Sequence, residues 1–129
     1  MTKSRYSFAP THHSLTEVLA DRELASLGDS FVNFVCSIAL SNKMGKPVGT
    51  KVKGTALAEA LKKAGLRGHA PSRMSRHMFA DAAEALMAYA WLHGYVEFGK
   101  CVSTLENAET LVDGLGKLLA KAADRIRFS

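Results

Sequence analysis

At 129 residues the chain has the length of one domain, and its 47% apolar residues suit a single hydrophobic core rather than a disordered chain. Two cysteines, Cys36 and Cys101, neither at zinc-site spacing from a histidine, exclude a disulfide scaffold and a structural zinc site and read as reduced core thiols. The opening MTKSRYSFAP has no apolar signal core, and no run approaches the ~18 apolar residues of a membrane span, since Asn33 and Ser37 interrupt the best candidate. A cytoplasmic protein with no membrane partner is expected.

The net charge of +5 is unevenly spread. Between Lys43 and His77, nine Lys or Arg face one acid, Glu59, a net +8 in 35 residues that leaves −3 on the other 94. A basic segment on a slightly acidic body suits a polyanion held through phosphate contacts. Solubilising lysines on a loop and one helix face would give the same pattern.

Residues 1–13 read as an irregular arm punctuated by Pro10, with Tyr6 and Phe8 as anchors and His12 and His13 either touching phosphate or, the favoured reading, packing the arm down. Ser14-Leu15-Thr16-Glu17 is a capping-box pattern that starts a helix at Leu15. Whether that helix breaks near Asp21 or runs on is left open by the residues. Over Asp21–Ser41, Leu24, Leu27, Phe31, Phe34, Val35, Ile38 and Ala39 recur at the three- and four-residue spacing of a buried helical face. Asp29 falls inside that run, after Gly28. It is either an exposed Asp on the polar side or a carboxylate that must be paired or hold a cation.

The helix should end near Asn42–Met44, with Gly45, Pro47 and Gly49 opening a loop. Thr55 is expected to cap a short helix, Ala56–Ala64, closed by Gly65. Ser72 or Ser75 then caps a long helix that ends at His93-Gly94. Within it, Asp81 and Glu84 are three apart, hence on one face, among Ala80, Ala82, Ala83, Ala85 and Ala88. Two like charges on so small-residued a helix repel unless solvated or bridged by a divalent cation. Residues 97–102 read as a connector, and Ser103-Thr104-Leu105-Glu106 as a second capping box opening a last helix to about Ile126. About five helices and no strand are expected, an all-α fold without internal repeats.

Taken in order, these segments resemble the ribonuclease III catalytic domain. Leu27-Gly28-Asp29 matches the end of that family's first signature, and Ala80-Asp81-Ala82-Ala83-Glu84-Ala85-Leu86 matches its second. Thr55–Leu61 is similar to its intermediate helix, and Thr11-His12-His13-Ser14 to its entry segment. Length and departures are similar to the short single-domain members, the archaeal and Mini-III types. On this resemblance, 1–129 is a single ribonuclease III-like catalytic domain with no double-stranded-RNA-binding domain. Two departures stand out. Ala25 occupies the position four before Asp29 where longer members carry a metal-binding Glu, and Ser26 the position of an aromatic that plugs the partner subunit.

The resemblance implies a Mg²⁺-dependent endoribonuclease, with Mn²⁺ as a possible substitute, that hydrolyses double-stranded or structured RNA as a homodimer. Asp81 and Glu84 would ligate the ion, and Asp29 would ligate it or orient the attacking water. Hard carboxylate oxygens suit an ion that keeps its waters and takes few protein ligands. Lys51, Lys53, Arg73 and Arg76 are the expected RNA-backbone contacts. Two rival readings stand beside it. One is a non-catalytic RNA-binding or ribosome-associated module, favoured by Ala25. The other is a helical DNA-binding or toxin–antitoxin-type protein, for which no recognition helix stands out.

Overall fold

The computed structural model describes residues 4–70 and 74–128. It is all helical there: α1 (Leu15–Leu19), α2 (Arg22–Met44), α3 (Gly54–Lys63), α4 (Arg76–Leu92), α5 (Phe98–Asn107) and α6 (Leu111–Arg125), with one 3₁₀ turn at Arg67–His69. Six α-helices therefore stand where about five were expected.

The centre of the fold is α4. Every residue from Ala82 to Ala90 is buried, which is the behaviour of a helix apolar on all sides. It packs most extensively against α2, with α3 on another side and α1 and α6 completing its surroundings. Its alanines let these neighbours come close. Ser75 caps it, accepting from the Met78 N–H at 3.2 Å. Ser72, the alternative cap, lies outside the described residues, as does Arg73.

The first helix does break. The Ser14 hydroxyl accepts from the Glu17 N–H, and the Glu17 carboxylate accepts from the His13 N–H at 2.7 Å, so α1 is a single capped turn. Asp21 then caps α2 by accepting from the Leu24 N–H. Burial alone would push the Asp21 carboxyl up, but the Leu24 N–H and the His12 ring, 2.8 Å away, hold it below its ordinary value. The His12 backbone N–H also donates to the Tyr89 hydroxyl, and His93 bonds the Pro10 carbonyl, so the arm is docked on the end of α4. Gly45 closes α2 in the left-handed conformation, φ 70°.

Four expectations are corrected. First, α3 begins at Gly54 with Lys53 at the cap and no side-chain capping bond, so Thr55 is inside the helix. Second, residues 97–102 are no connector: they begin α5, and the presumed box at Ser103 lies within it. The Ser103 and Thr104 hydroxyls donate backward to the Gly99 and Lys100 carbonyls, which satisfies them without capping anything. Thr110 is the cap, accepting from Asp113, and opens α6.

Third, the buried face of α2 is rotated from the expected stripe. Leu24, Ala25, Gly28, Val32, Val35, Cys36 and Ala39 are buried, whereas Leu27 is 40% and Phe34 58% exposed. Leu27, Phe31, Phe34 and Ile38 instead make a second apolar face. It continues through Phe98, 5.3 Å from Phe34, and Trp91, 5.5 Å from Phe31. Fourth, α2 is by length and composition apolar enough to cross a membrane. Its Asn33, Ser37 and Ser41 all bond the following segment.

Both thiols are buried and free, and burial pushes each up to about 11, as expected for inert core cysteines.

Candidate active site

The site is built where α2 crosses α4. Gly28 lies against the backbone of Glu84: a Cβ there would come within 1.9 Å of the Glu84 carbonyl oxygen. Only glycine permits that approach, and it sets the residue after it, Asp29, beside the Glu84 side chain. The Leu-Gly-Asp run is thus a helix-crossing device followed at once by its chemical group.

Asp29, Asp81 and Glu84 line one open cleft of about 550 Å³ together with Arg22, Lys51 and His77. The sequence pairing of the two motifs is therefore brought together in space. Glu84 is 7% exposed and forms the floor, and the Asp81 side chain, 33% exposed, stands nearer the rim. Ala25 and Ser26 also line the cleft. The position expected to carry a further Glu does face the site, but as a methyl group.

The electrostatics of the floor are those of too many acids in too little water. Burial pushes the Glu84 carboxyl up to about 8, helped by its hydrogen bond with Asp29 and by the charges of Asp29 and Asp81, while the Lys51 ammonium pulls the other way. Glu84 and Asp29 thus lie side by side, and the raised Glu84 carboxyl favours its protonated form while no cation is present. Such a pair is also the chemistry that a hard divalent cation displaces the proton from.

Asn33 orients the Asp29 carboxylate. Its Oδ1 accepts from the Val52 N–H at 2.7 Å, so its amide nitrogen faces Asp29 and donates to Oδ1 at 3.3 Å. Asn33 is one of three side chains that strap residues 48–52 along α2. The Thr50 N–H donates to Ser37 Oγ, and the Val48 N–H to Ser41 Oγ, both at 2.9 Å. Steps of four residues on a helix advance about 6 Å, and steps of two along an extended chain about 6.6 Å, so the two ladders stay in register. The strap carries Lys51 to the cleft.

The other expected RNA contacts are distributed differently. Lys53 caps α3 and, with Lys43, edges a more apolar hollow behind the strap. Arg76 faces a separate hollow on the other side of α4. Arg73 lies outside the described residues. Sequence reasoning missed Arg22, His77 and Asn33. His77 sits one turn before Asp81, with Nε2 3.6 Å from Oδ2. That i, i+4 spacing was readable, as were polar residues every fourth position, 33, 37 and 41, in an otherwise apolar helix.

Among the described residues no three His, Cys, Asp or Glu side chains close into a ready-made metal cage. The donor chemistry nevertheless fits one hard cation. Mg²⁺ takes one or two carboxylates and completes its shell from water and phosphate oxygens, and the Asp29–Glu84 pair with Asp81 beside it offers that much.

No curated protein was found to match the chain. The family model described as Ribonuclease III matches residues 22–126, which spans the carboxylate cleft and five of the six helices. The chain belongs to the ribonuclease III family.

Proposed function

We propose that the chain is a metal-dependent endoribonuclease that cleaves double-stranded or structured RNA by phosphodiester hydrolysis. The observation that carries this reading is the buried Glu84 held against Asp29 on the floor of a cleft whose rim bears Asp81, Lys51 and Arg22. A pure binding surface for a polyanion gives no reason to bury an acid pair there, because each carboxylate repels the phosphates it would face.

A bound Mg²⁺, or Mn²⁺, would supply charge neutralisation at the scissile phosphate and an activated water. Asp81 and Glu84 would ligate it, and Asp29 would ligate it or orient the attacking water. Asn33 keeps the Asp29 carboxylate aimed at Glu84. Lys51 and Arg22 attract the RNA backbone to the cleft, where double-stranded RNA is read by shape and phosphate position.

The protein acts as a homodimer on this reading, with the partner a second copy seated on the second apolar face of α2. Leu27 and Phe34 are too exposed there, beside Phe31 and Phe98, for a surface left bare in water. That face lies on the helix that carries Asp29, so pairing would set two clefts side by side. Ser26 supplies no plug, and the contact would rest on Leu27 and Phe34 instead.

The test is cleavage of an end-labelled RNA duplex in Mg²⁺, Mn²⁺ or EDTA, with Asp29→Asn and Asp81→Asn in parallel. Metal-dependent cuts are expected, reduced at least about a hundredfold in each variant, about 2.7 kcal/mol of transition-state stabilisation. Asp81→Asn should leave the thermal midpoint nearly unchanged, because its side chain is partly solvated. One observation favours a second reading, a non-catalytic RNA-binding module: Ala25 lines the cleft without a ligand. Tight RNA binding with no cuts in any metal would select it.

A further inference from the structure

A second hollow shares a wall with the carboxylate cleft and carries the opposite charge. Its volume is about 470 Å³, and its lining includes Lys62, Arg67, Arg76 and Phe79, with Glu59 the one acid. The two are lined by neighbouring residues of the same segments. Gly54, His77 and Ala80 face the acidic cleft, while their chain neighbours Thr55, Arg76 and Phe79 face the basic hollow.

None of Lys62, Arg67 and Arg76 forms an ion pair among the described residues. Three cations gathered at one concavity repel one another, and an anion seated among them removes that cost. The Arg67 guanidinium lies over the Phe79 ring, 5.2 Å from its centroid, which holds that cation at the hollow. Three cations around one concavity suit a phosphate.

We infer that this hollow binds the backbone phosphate of a nucleotide flanking the scissile bond, so that one strand crosses the shared wall with one phosphate over the acidic cleft and another among Lys62, Arg67 and Arg76. The assignment rests on reading RNA as the substrate. It adds a subsite that holds the strand through phosphate alone and needs no metal.

The experiment is binding of a short RNA duplex in EDTA, followed by fluorescence anisotropy over a range of salt, for the wild type, Arg67→Ala, Arg76→Ala and the double variant. Each lost phosphate contact should lower the salt slope by about one and weaken binding equally on unrelated sequences. Lys121→Ala, an exposed cation on α6, should leave the slope unchanged. Arg67→Lys keeps the charge without the guanidinium; it should retain the slope and bind more weakly, which separates recognition from misfolding. In parallel, inorganic phosphate is titrated while the Arg67 side-chain N–H is followed by NMR.

Unchanged slopes in both arginine variants overturn the subsite. So does saturable phosphate binding at Arg67 with unchanged RNA slopes, because the hollow then takes free phosphate and not the strand. If the slopes fall as expected while the wild type cuts nothing in any metal, the subsite stands and the nuclease reading falls.

Discussion

Of the glycines at helix contacts, Gly28 and Gly114 are the most crowded, and their surroundings differ. Gly28 of α2 lies on the backbone of α4, whereas a Cβ at Gly114 of α6 would meet the Leu105 side chain at 2.8 Å and the Ala108 methyl at 3.1 Å. A side-chain terminus can rotate aside; a helix backbone cannot. The first contact therefore fixes the distance between two helices, and chemistry was placed on it. The second belongs to the α5–α6 hairpin, which carries no acid pair and serves to cover the core.

The sharpest way to break that comparison is Gly28→Ala. Forcing a methyl against a backbone oxygen must push α2 off α4, and we expect a loss of about 3–5 kcal/mol despite the better helix propensity of alanine. Urea denaturation measures it, and a loss below about 1 kcal/mol would show that the crossing is soft.

Next in size is the pH dependence that only the α2–α4 side should show. Glu84 has a folded value of about 8 against an ordinary 4.5, so between those values the folded state holds the extra proton. Stability of the metal-free protein is then greatest near pH 5 and falls as pH rises through 8, by a few kcal/mol. Asp21 is held low and contributes its own loss only below about pH 4. Glu84→Gln should flatten the slope between pH 5 and 8, as should millimolar Mg²⁺ if it displaces the Glu84 proton. Thermal midpoints across that range check both.

Gly114→Ala should cost about 1–2 kcal/mol, the partial sum of crowding against Leu105 and improved helix propensity. Gly116→Ala, one residue pair further along, is expected to stabilise by about 0.5–1 kcal/mol, since its new Cβ would meet only ordinary contacts at 3.6 Å. A destabilising Gly116→Ala would mean that α6 is seated more tightly on α3 than its distances show.

The site was largely legible because its acids are exceptions. Asp29, Asp81 and Glu84 interrupt apolar helices, and an exception of that kind has few physical explanations. The α5–α6 boundary was not legible, because Ser103 and Thr104 look the same whether they cap a helix or bond backward within one. Nor was the rotation of α2. With apolar residues on two faces, periodicity cannot say which one meets the core and which meets water at Leu27 and Phe34. The strap on Asn33, Ser37 and Ser41 depends on residues up to 19 positions away, and only its four-residue spacing hints at it. The two hollows beside α4 needed three dimensions outright.

The contact of Gly28 with Glu84 also bears on how this molecule breathes. A cleft closed by loops can open while the rest of the fold stays intact. Here the acids hang on the crossing of the two helices with the most extensive contact, so no loop opening can move the Asp29 backbone away from that of Glu84. The amides around Gly28 and Glu84 should be among the last to exchange with deuterium, at the free energy of global unfolding. On the proposed reading, a rigid floor means that RNA, rather than the protein, adjusts to bring its phosphate onto the acids.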